Sequence, residues 1–309
     1  MLKNLFLFSF IFTLFIGNSL VAKEESTKSA KATMGYLVEG LHDIKFKDAR
    51  IAFSLWIKEL SINEDMDVGI KYYENEEECI EDFESASFEY LALNAYFYLK
   101  HQSRIDANAK EYWVATKSEK RFTNRVILVN KKSGIKSLKD LKNRTVMSRE
   151  DDYLGRLVLD KELLEELGAD SSSFFKSSLK SAKSSTAILK VYFSTVDACV
   201  VPEYMFKFMQ EMNPKLSSEL SVLKRTPDIF LPVMAVFHKT TPTSSIDSFH
   251  RNVATLESTP RGQNILALFK MHKMRVVDVK EFDGLREYYQ EYLHLSKAYK
   301  KSKTGSYNE

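Results

Sequence analysis

Residues 125–152 read RVILVNKKSGIKSLKDLKNRTVMSREDD and contain the pattern of a strand, a turn, a short helix and a second strand. The first strand, residues 125–130, is a run of β-branched and apolar residues that ends at the turn signal Lys-Lys-Ser-Gly. Ser137 is placed to cap a short helix over residues 138–141, and residues 145–147 form a second apolar strand. This alternation predicts an α/β fold.

A long amphipathic helix follows this unit. Its apolar positions recur at helical spacing on one face, at Leu154, Leu157, Val158, Leu164 and Leu167. Gly168 follows them, where a helix commonly ends on a left-handed residue. The loop over residues 148–152 therefore leads from a strand into a helix N-terminus, which offers free N–H groups and partial positive charge. Such junctions are where α/β sheets bind ligands.

Length and composition indicate a globular protein of two lobes. The chain has 309 residues, of which 44% are hydrophobic and 28% are charged, and its net charge is +3. This length exceeds one small core, and so balanced a charge does not indicate a nucleic-acid partner. The six histidines lack metal-ligand spacing, and no nucleotide-binding or nucleophile motif is present. We therefore expect no enzyme activity, catalytic residue, metal or cofactor.

The N-terminus has the layout of a secretory signal peptide. Lys3 precedes an apolar run over residues 5–16, and small and polar residues lead to Ala22, after which we expect cleavage. The run is short for a membrane span, and an uncleaved anchor is the alternative. In an exported protein Cys79 and Cys199 could pair, but we favour two separate buried thiols because we place them in different lobes.

Strands and helices alternate through the rest of the chain, which predicts a mostly parallel sheet with helices on its faces. The predicted strands are residues 34–38, 67–73, 88–93, 112–116, 174–176, 196–201, 222–225, 233–238 and 274–279. The predicted helices are residues 47–60, 76–83, 186–192, 245–256 and 285–295, with two more opening at Pro202 and Thr259.

Three segments resemble one known family. SGIKSLKDLKNRTV, residues 133–146, is similar to a signature of type 2 periplasmic solute-binding proteins, in the branch that binds phosphate, phosphite or phosphonate for ABC transporters. FEYLALNAYFY, residues 88–98, is similar to that family's third strand and ligand-facing turn. Residues 259–263, TPRGQ, resemble its C-terminal helix element.

The resemblance implies the type 2 periplasmic-binding-protein fold, an α/β fold in which two lobes with mixed, mostly parallel sheets are joined by two crossing hinge strands. Crossing strands make a hinge, and the ligand binds in the cleft that the hinge closes. The expected division is a signal peptide over residues 1–22, a first lobe over 33–120 and 225–296, an inserted second lobe over 121–224, and a flexible tail over 297–309.

The loop over residues 148–152 departs from the family pattern. Phosphonate-type proteins have a Ser-Thr-Ser-like run here that holds a tetrahedral oxyanion, whereas this chain has Ser-Arg-Glu-Asp-Asp. Each carboxylate close to a phosphate would repel it by roughly 1 kcal/mol or more. Either Ser148 and Arg149 hold an oxyanion with the acids turned away, or Asp151 or Asp152 faces a neutral or cationic ligand. In the third interpretation the acids only cap the helix.

Other expected ligand-binding residues come from both lobes. Ser184, in a serine-rich helix start, aligns with a family position that is often histidine, and such a serine either binds an anion or caps the helix. Glu203 matches the acidic residue that follows the family's Val-Asp-Ala strand and contacts a ligand amine. The remaining candidates are Tyr204 beside it and, from the first lobe, Tyr36, Asn94 and Tyr96.

The resemblance implies a function in transport. We expect a monomeric periplasmic protein that closes on a phosphonate- or phosphate-like oxyanion, or a related small solute, and delivers it to the permease of an ABC transporter. The alternative is a periplasmic ligand-sensing protein that partners a membrane sensor kinase or cyclase. A third hypothesis, an enzyme on the same scaffold, lacks a visible nucleophile or acid–base pair.

Overall fold

We describe the protein from a computed structural model. The structure describes residues 32–37, 51, 54–55, 57–58, 68–117, 120–231 and 234–305. The predicted signal peptide and most of the helix predicted over residues 47–60 lie outside these ranges.

The described strands form two sheets. They are β1 (Ala32–Leu37), β2 (Val68–Tyr73), β3 (Tyr90–Leu93), β4 (Ala109–Ala115), β5 (Arg125–Asn130), β6 (Thr145–Arg149), β7 (Ser177–Ser181), β8 (Ala198–Pro202), β9 (Leu220–Arg225), β10 (Met234–His238) and β11 (Met274–Val277). The six-stranded sheet has the order β11-β4-β10-β3-β1-β2, and the five-stranded sheet has the order β7-β6-β8-β5-β9. Both sheets mix parallel and antiparallel pairs, which confirms the predicted α/β class with mixed sheets. The expectation of mostly parallel sheets is wrong, because four of the nine described strand pairs are parallel and five are antiparallel.

The chain passes between the sheets twice, from β4 to β5 and from β9 back to β10. The two connecting segments pair with each other at one antiparallel bridge between Thr123 and Phe230. The amide of Thr123 donates to the Phe230 carbonyl at 2.7 Å, and the amide of Phe230 donates back at 2.9 Å. This bridge holds the two crossings side by side.

Helices cover the faces of both sheets. They are α1 (Glu76–Glu84), α2 (Ala95–Asn108), α3 (Tyr153–Leu167), α4 (Ser171–Phe174), α5 (Ser184–Tyr192), α6 (Glu203–Met212), α7 (Lys215–Glu219), α8 (Thr243–Ser258), α9 (Pro260–Leu268) and α10 (Asp283–Gly305). Gly168 ends α3 with a φ of +58°, as its position after the apolar stripe predicted. In the described part of the chain, no helix combines the length and apolar character that a bilayer crossing needs.

Strand β5 explains why residues 125–130 have no polar alternation. Val126 and Leu128 pack on one face of the sheet, in the core beneath α5 and α6. Ile127 and Val129 pack on the other face, in the core that includes α3. A strand buried on both faces reads as a continuous apolar run.

The prediction of a strand over residues 174–176 is wrong. Helix α4 ends at Phe174, and the strand follows as β7, an edge strand that pairs only with β6. The middle of β7 is exposed and serine-rich, so it lacks the apolar run by which a strand is recognised. Phe174 and Phe175 are buried instead in the core that includes α3.

The C-terminal helix is longer than predicted. Helix α10 continues through residues 297–305, where a flexible tail was expected. It contacts elements attached to both sheets: Arg286 forms an ion pair with Asp106 of α2 at 2.7 Å, and Tyr288 donates to Glu162 of α3 at 3.2 Å. Within the extension, the hydroxyls of Tyr299 and of Ser173 on α4 lie 3.3 Å apart, so a tertiary contact also reaches the last turns of the helix.

Candidate functional site

A small cavity of about 70 Å³ lies where the two sheets approach each other. Its wall combines residues of α2, of the crossing segments and of the five-stranded sheet with its helices. They are Asn94, Ala95, Tyr96, Thr123, Arg125, Arg149, Asp151, Asp152, Tyr153, Leu154, Ser184, Pro202, Tyr204 and Leu231.

Four helices begin at this cavity, namely α2, α3, α5 and α6. Helix N-termini carry partial positive charge and N–H groups without an intrahelical partner. The N-cap side chains of α2 and α3, Asn94 and Asp152, each accept from one such N–H group. Helices α5 and α6 have no side-chain cap. This convergence favours a negatively charged ligand.

Arg125 is the buried cation of the cavity. It is the first residue of β5, and it is 9% exposed. One guanidinium nitrogen lies 2.9 Å from Asp152 Oδ1, while the buried Nε–H has no hydrogen-bond acceptor among the described residues. Buried donors are normally satisfied, so this N–H indicates a place for an acceptor from a ligand. Arg125 was not among the residues predicted from the sequence, although an arginine at the start of an otherwise apolar strand was an available signal.

Arg149 and Asp151 form a second ion pair in the wall, with Nη1 and Oδ1 2.6 Å apart. Burial raises the pKa of the Asp151 carboxyl, and the charge of Arg149 offsets part of that rise. With Arg125 and Asp152, the wall therefore holds two cations and two anions. Each carboxylate therefore lies beside an arginine, but the buried Oδ1 of Asp151 accepts no hydrogen bond from the described residues.

Asp152 has a defined structural role. It is the N-cap of α3, where its Oδ1 accepts from the Gly155 amide at 3.0 Å, and it is 5% exposed. The same oxygen faces Arg125. Asp152 therefore caps the helix, as one interpretation of the sequence predicted, and a contact between it and a ligand remains a prediction.

Gly155 leaves the space that Asp152 occupies, because a Cβ on Gly155 would lie 2.6 Å from Asp152 Oδ2. We expect Gly155→Ala to displace this carboxylate and lower the free energy of unfolding by about 1–3 kcal/mol, although alanine is the better helix former. Urea unfolding measures the change. Gly284→Ala is the control, because its Cβ would meet only the Ile229 side chain, at 3.2 Å. Equal stability of the Gly155→Ala protein and wild type would show that Asp152 is not held in place.

An aromatic contact bridges the two sides of the cavity. The rings of Tyr96, on α2, and Tyr153, on α3, are stacked with centroids 5.2 Å apart and planes 13° apart. The Arg156 guanidinium lies 4.5 Å from the Tyr153 ring centroid, and Lys100 Nζ lies 5.8 Å from that of Tyr96. This stack of cations and rings connects helices that belong to different sheets.

The cavity brings together most of the residues that the sequence nominated. Asn94, Tyr96, Arg149, Asp151, Ser184 and Tyr204 all contribute to its wall. Tyr36, Ser148 and Glu203 do not. Their contact with a ligand remains a prediction.

Ser148 and Tyr36 are buried elsewhere. Ser148 precedes Arg149 on β6, and successive side chains of a strand point to opposite faces, so only one of the two reaches the cavity. Tyr36 is 2% exposed in the core of the six-stranded sheet, where its ring packs edge-on against Tyr72.

Glu203 is held by its neighbours in the five-stranded sheet. Its carboxylate accepts from Asn124 Nδ2 at 2.7 Å and from Arg225 Nη2 at 2.7 Å. Burial opposes its charge, but the hydrogen bonds from Asn124 and Arg225 outweigh burial and lower the pKa of Glu203. Strand β5 lies between β8 and β9, which brings Arg225 beside the start of α6.

Two mixed sheets crossed twice by the chain, with a polar cavity between them, define a type 2 periplasmic binding protein. The chain belongs to the family of ABC transporter, phosphonate, periplasmic substrate-binding proteins, because the model of that family matches residues 47–282. Its members bind a small substrate for an ABC transporter and are not enzymes, which supports transport over sensing. Family membership places the protein in the periplasm.

Solved structures show the same fold at low identity. PhnD1 from Prochlorococcus marinus, in complex with methylphosphonate, is 18% identical over 84% of this chain and 97% of its own, with a TM-score of 0.61. A binding protein of an ABC phosphonate transporter from Pseudomonas aeruginosa is 14% identical over 87% and 89%, with a TM-score of 0.63. A Xanthomonas citri protein bound to ATP is 14% identical over 87% and 99%, with a TM-score of 0.59. A search of curated proteins found no match.

The described residues contain no cluster of His, Cys, Asp and Glu suited to a metal ion. Cys79 and Cys199 are both free and buried, as predicted.

Proposed function

We propose that this protein binds a small phosphonate-type oxyanion in the cavity between its sheets. The observation that carries this proposal is the buried Arg125 guanidinium, whose Nε–H lacks an acceptor among the described residues at the point where four helices begin. A tetrahedral oxyanion would accept from this N–H and from first-turn amides, in a field that already favours negative charge.

Cavity size supports a very small ligand. Sites for drug-sized molecules have volumes of roughly 300–1,000 Å³, whereas this cavity has about 70 Å³. A nucleotide exceeds that space in the conformation described. An inorganic oxyanion or an alkylphosphonate with a short substituent suits it better.

The pairing of the charges supports an anion over a cation. Asp152 is committed to Arg125 and to the Gly155 amide, and Asp151 is committed to Arg149. A cationic ligand would have to bind a carboxylate beside the positive charge of an arginine, because Arg125 and Arg149 each lie next to one. An oxyanion needs only to add to donors that remain available, such as the Arg125 Nε–H.

The finer features of the transport role are part of the same proposal. We propose that residues 1–22 direct export, that the monomer closes about the crossings near Thr123 and Phe230, and that the closed form docks on an ABC permease. The second lobe would be the inserted segment over residues 121–224. The mutual bridge of the crossings supports a hinge at this position.

Calorimetric titration tests the ligand class. The signal-free protein, unfolded and refolded to remove any carried ligand, is titrated with phosphate, phosphite, methylphosphonate and 2-aminoethylphosphonate. We expect micromolar binding of at least one of them and no binding of ATP. Silence toward all four from a protein that unfolds cooperatively would contradict the proposed ligand class.

A further inference from the structure

A second, larger cavity of about 470 Å³ lies on the other side of Tyr204, which lines both cavities. One wall is the start of α6, with Met205 and Phe208. The opposite wall belongs to α9 and the segment that follows it, with Leu266 and Met271. The volume falls within the range of small-molecule sites.

Lys117 is a buried cation in the wall of this cavity. It lies on the crossing from β4 to β5, and it is 6% exposed. Its ammonium donates to the Phe269 carbonyl at 2.6 Å and lies 5.7 Å from the Tyr204 ring centroid. None of the described carboxylates lies within ion-pair distance of it. A buried ammonium without an anion is costly, and an anionic ligand would remove much of that cost.

Other charged groups also line this cavity. Lys270, Lys273 and His272 line it, and Glu257 is the acidic residue in its wall. The Glu257 carboxylate is already engaged, because it accepts from Arg275 Nη1 and from the Met274 amide, both at 2.8 Å. The cavity therefore combines an apolar surface with an excess of positive charge.

We propose that this cavity is a second binding site, for a small amphipathic monoanion such as a carboxylate on a short alkyl chain. The carboxylate would pair with Lys117, and the chain would contact Phe208, Met205 and Leu266. This proposal is independent of the oxyanion site, because Lys117 is not in the wall of the first cavity.

Proton uptake should accompany binding. Burial, and secondarily the charge of Lys270, lower the pKa of Lys117 to about 7. A bound carboxylate would raise this pKa, so the protein takes up a proton on binding above pH 7 and binds more weakly as the pH rises. Below pH 6 the ammonium is already charged, and uptake should vanish.

Titration of the signal-free protein with hexanoate tests the proposal. At pH 8, in two buffers of different ionisation enthalpy, we expect binding with proton uptake. Lys117→Met should weaken hexanoate at least tenfold and abolish uptake, while methylphosphonate affinity stays unchanged. Ala267→Trp, which fills the cavity from an exposed position, should also block hexanoate. Acetate lacks the alkyl chain and hexanol lacks the negative charge, so each should bind at least tenfold more weakly than hexanoate.

Three results would overturn the proposal. The first is no binding of hexanoate at millimolar concentration. The second is a hexanoate affinity that is unchanged in both Lys117→Met and Ala267→Trp. The third is proton uptake that persists in Lys117→Met but disappears in His272→Gln. The last result would mean that His272 is the titrating group. Cooperative urea unfolding of each variant shows that the protein is folded.

Discussion

Arg125→Gln should weaken oxyanion binding at least 30-fold. Truncating one partner of a buried, hydrogen-bonded charge pair costs a ligand roughly 2–5 kcal/mol, so we expect at least a 30-fold loss of methylphosphonate affinity by calorimetry. The glutamine retains a donor but not the charge or the Nε–H that lacks an acceptor in the described structure. The free energy of unfolding should also fall, because the Asp152 carboxylate stays buried without the Arg125 guanidinium that pairs with it.

Two companion variants separate binding from stability. The double variant Arg125→Gln, Asp152→Asn should recover part of the free energy of unfolding, because it no longer buries an unpaired Asp152 carboxylate. It should not recover methylphosphonate affinity, because the Arg125 guanidinium is still absent. Arg225→Gln is the matched control, since Arg225 pairs with Glu203 outside the cavity wall. Affinity within threefold of wild type for Arg125→Gln would mean that Arg125 serves only as the partner of Asp152.

Asp151→Asn should strengthen oxyanion binding. The carboxylate lies in the cavity wall, where its charge would repel a bound anion. Removing one repulsion of roughly 1 kcal/mol at short range raises affinity about fivefold. Calorimetry with methylphosphonate at pH 7.5 measures this gain.

The pH dependence supplies an independent test of the role of Asp151. Burial already raises the pKa of this carboxyl, and a bound anion would raise it further. Binding to the wild type therefore takes up protons in the acid range, and affinity increases as the pH falls. The ratio of wild-type to Asp151→Asn affinity cancels the ionisation of the ligand itself, and it should approach one at low pH. Tenfold weaker binding of 2-aminoethylphosphonate by Asp151→Asn would instead indicate a contact with a ligand amine.

Strand β5 shows that a local sequence pattern can predict the bounds of an element. Its predicted and observed bounds are both residues 125–130, because a strand buried on both faces must be apolar at nearly every position. The helix after residue 152 was equally readable, from one apolar stripe and a terminal glycine. Helix α2 was not predicted, although Asn94 is its N-cap, because a polar residue before an aromatic-rich stretch is a weaker signal.

Arg125 and Glu203 show that local sequence patterns do not predict the partners of charged side chains. In the sequence Arg125 only begins a strand, and its role arises from Asp152 and from helix starts that the fold brings beside it. Glu203 matched a family position, yet Arg225 and Asn124 hold its carboxylate. The partner of a charged side chain depends on which strands become neighbours, and no spacing along the chain reveals that.

The sequence by itself therefore determined the α/β class, most strands and helices, the family resemblance and six of the fourteen residues in the cavity wall. Burial along each element produces a periodic pattern of apolar residues in the sequence, which predicts the element. The loops at strand ends can be located from the same pattern, and ligands bind there in α/β sheets. Only the tertiary structure decided which cations line the cavity, which acids lie beside an arginine, that residues 297–305 continue a helix, and that a second cavity lies behind Tyr204. Those features depend on distances between residues that are far apart in sequence, and side-chain pairing in a low-dielectric interior is decided by such distances.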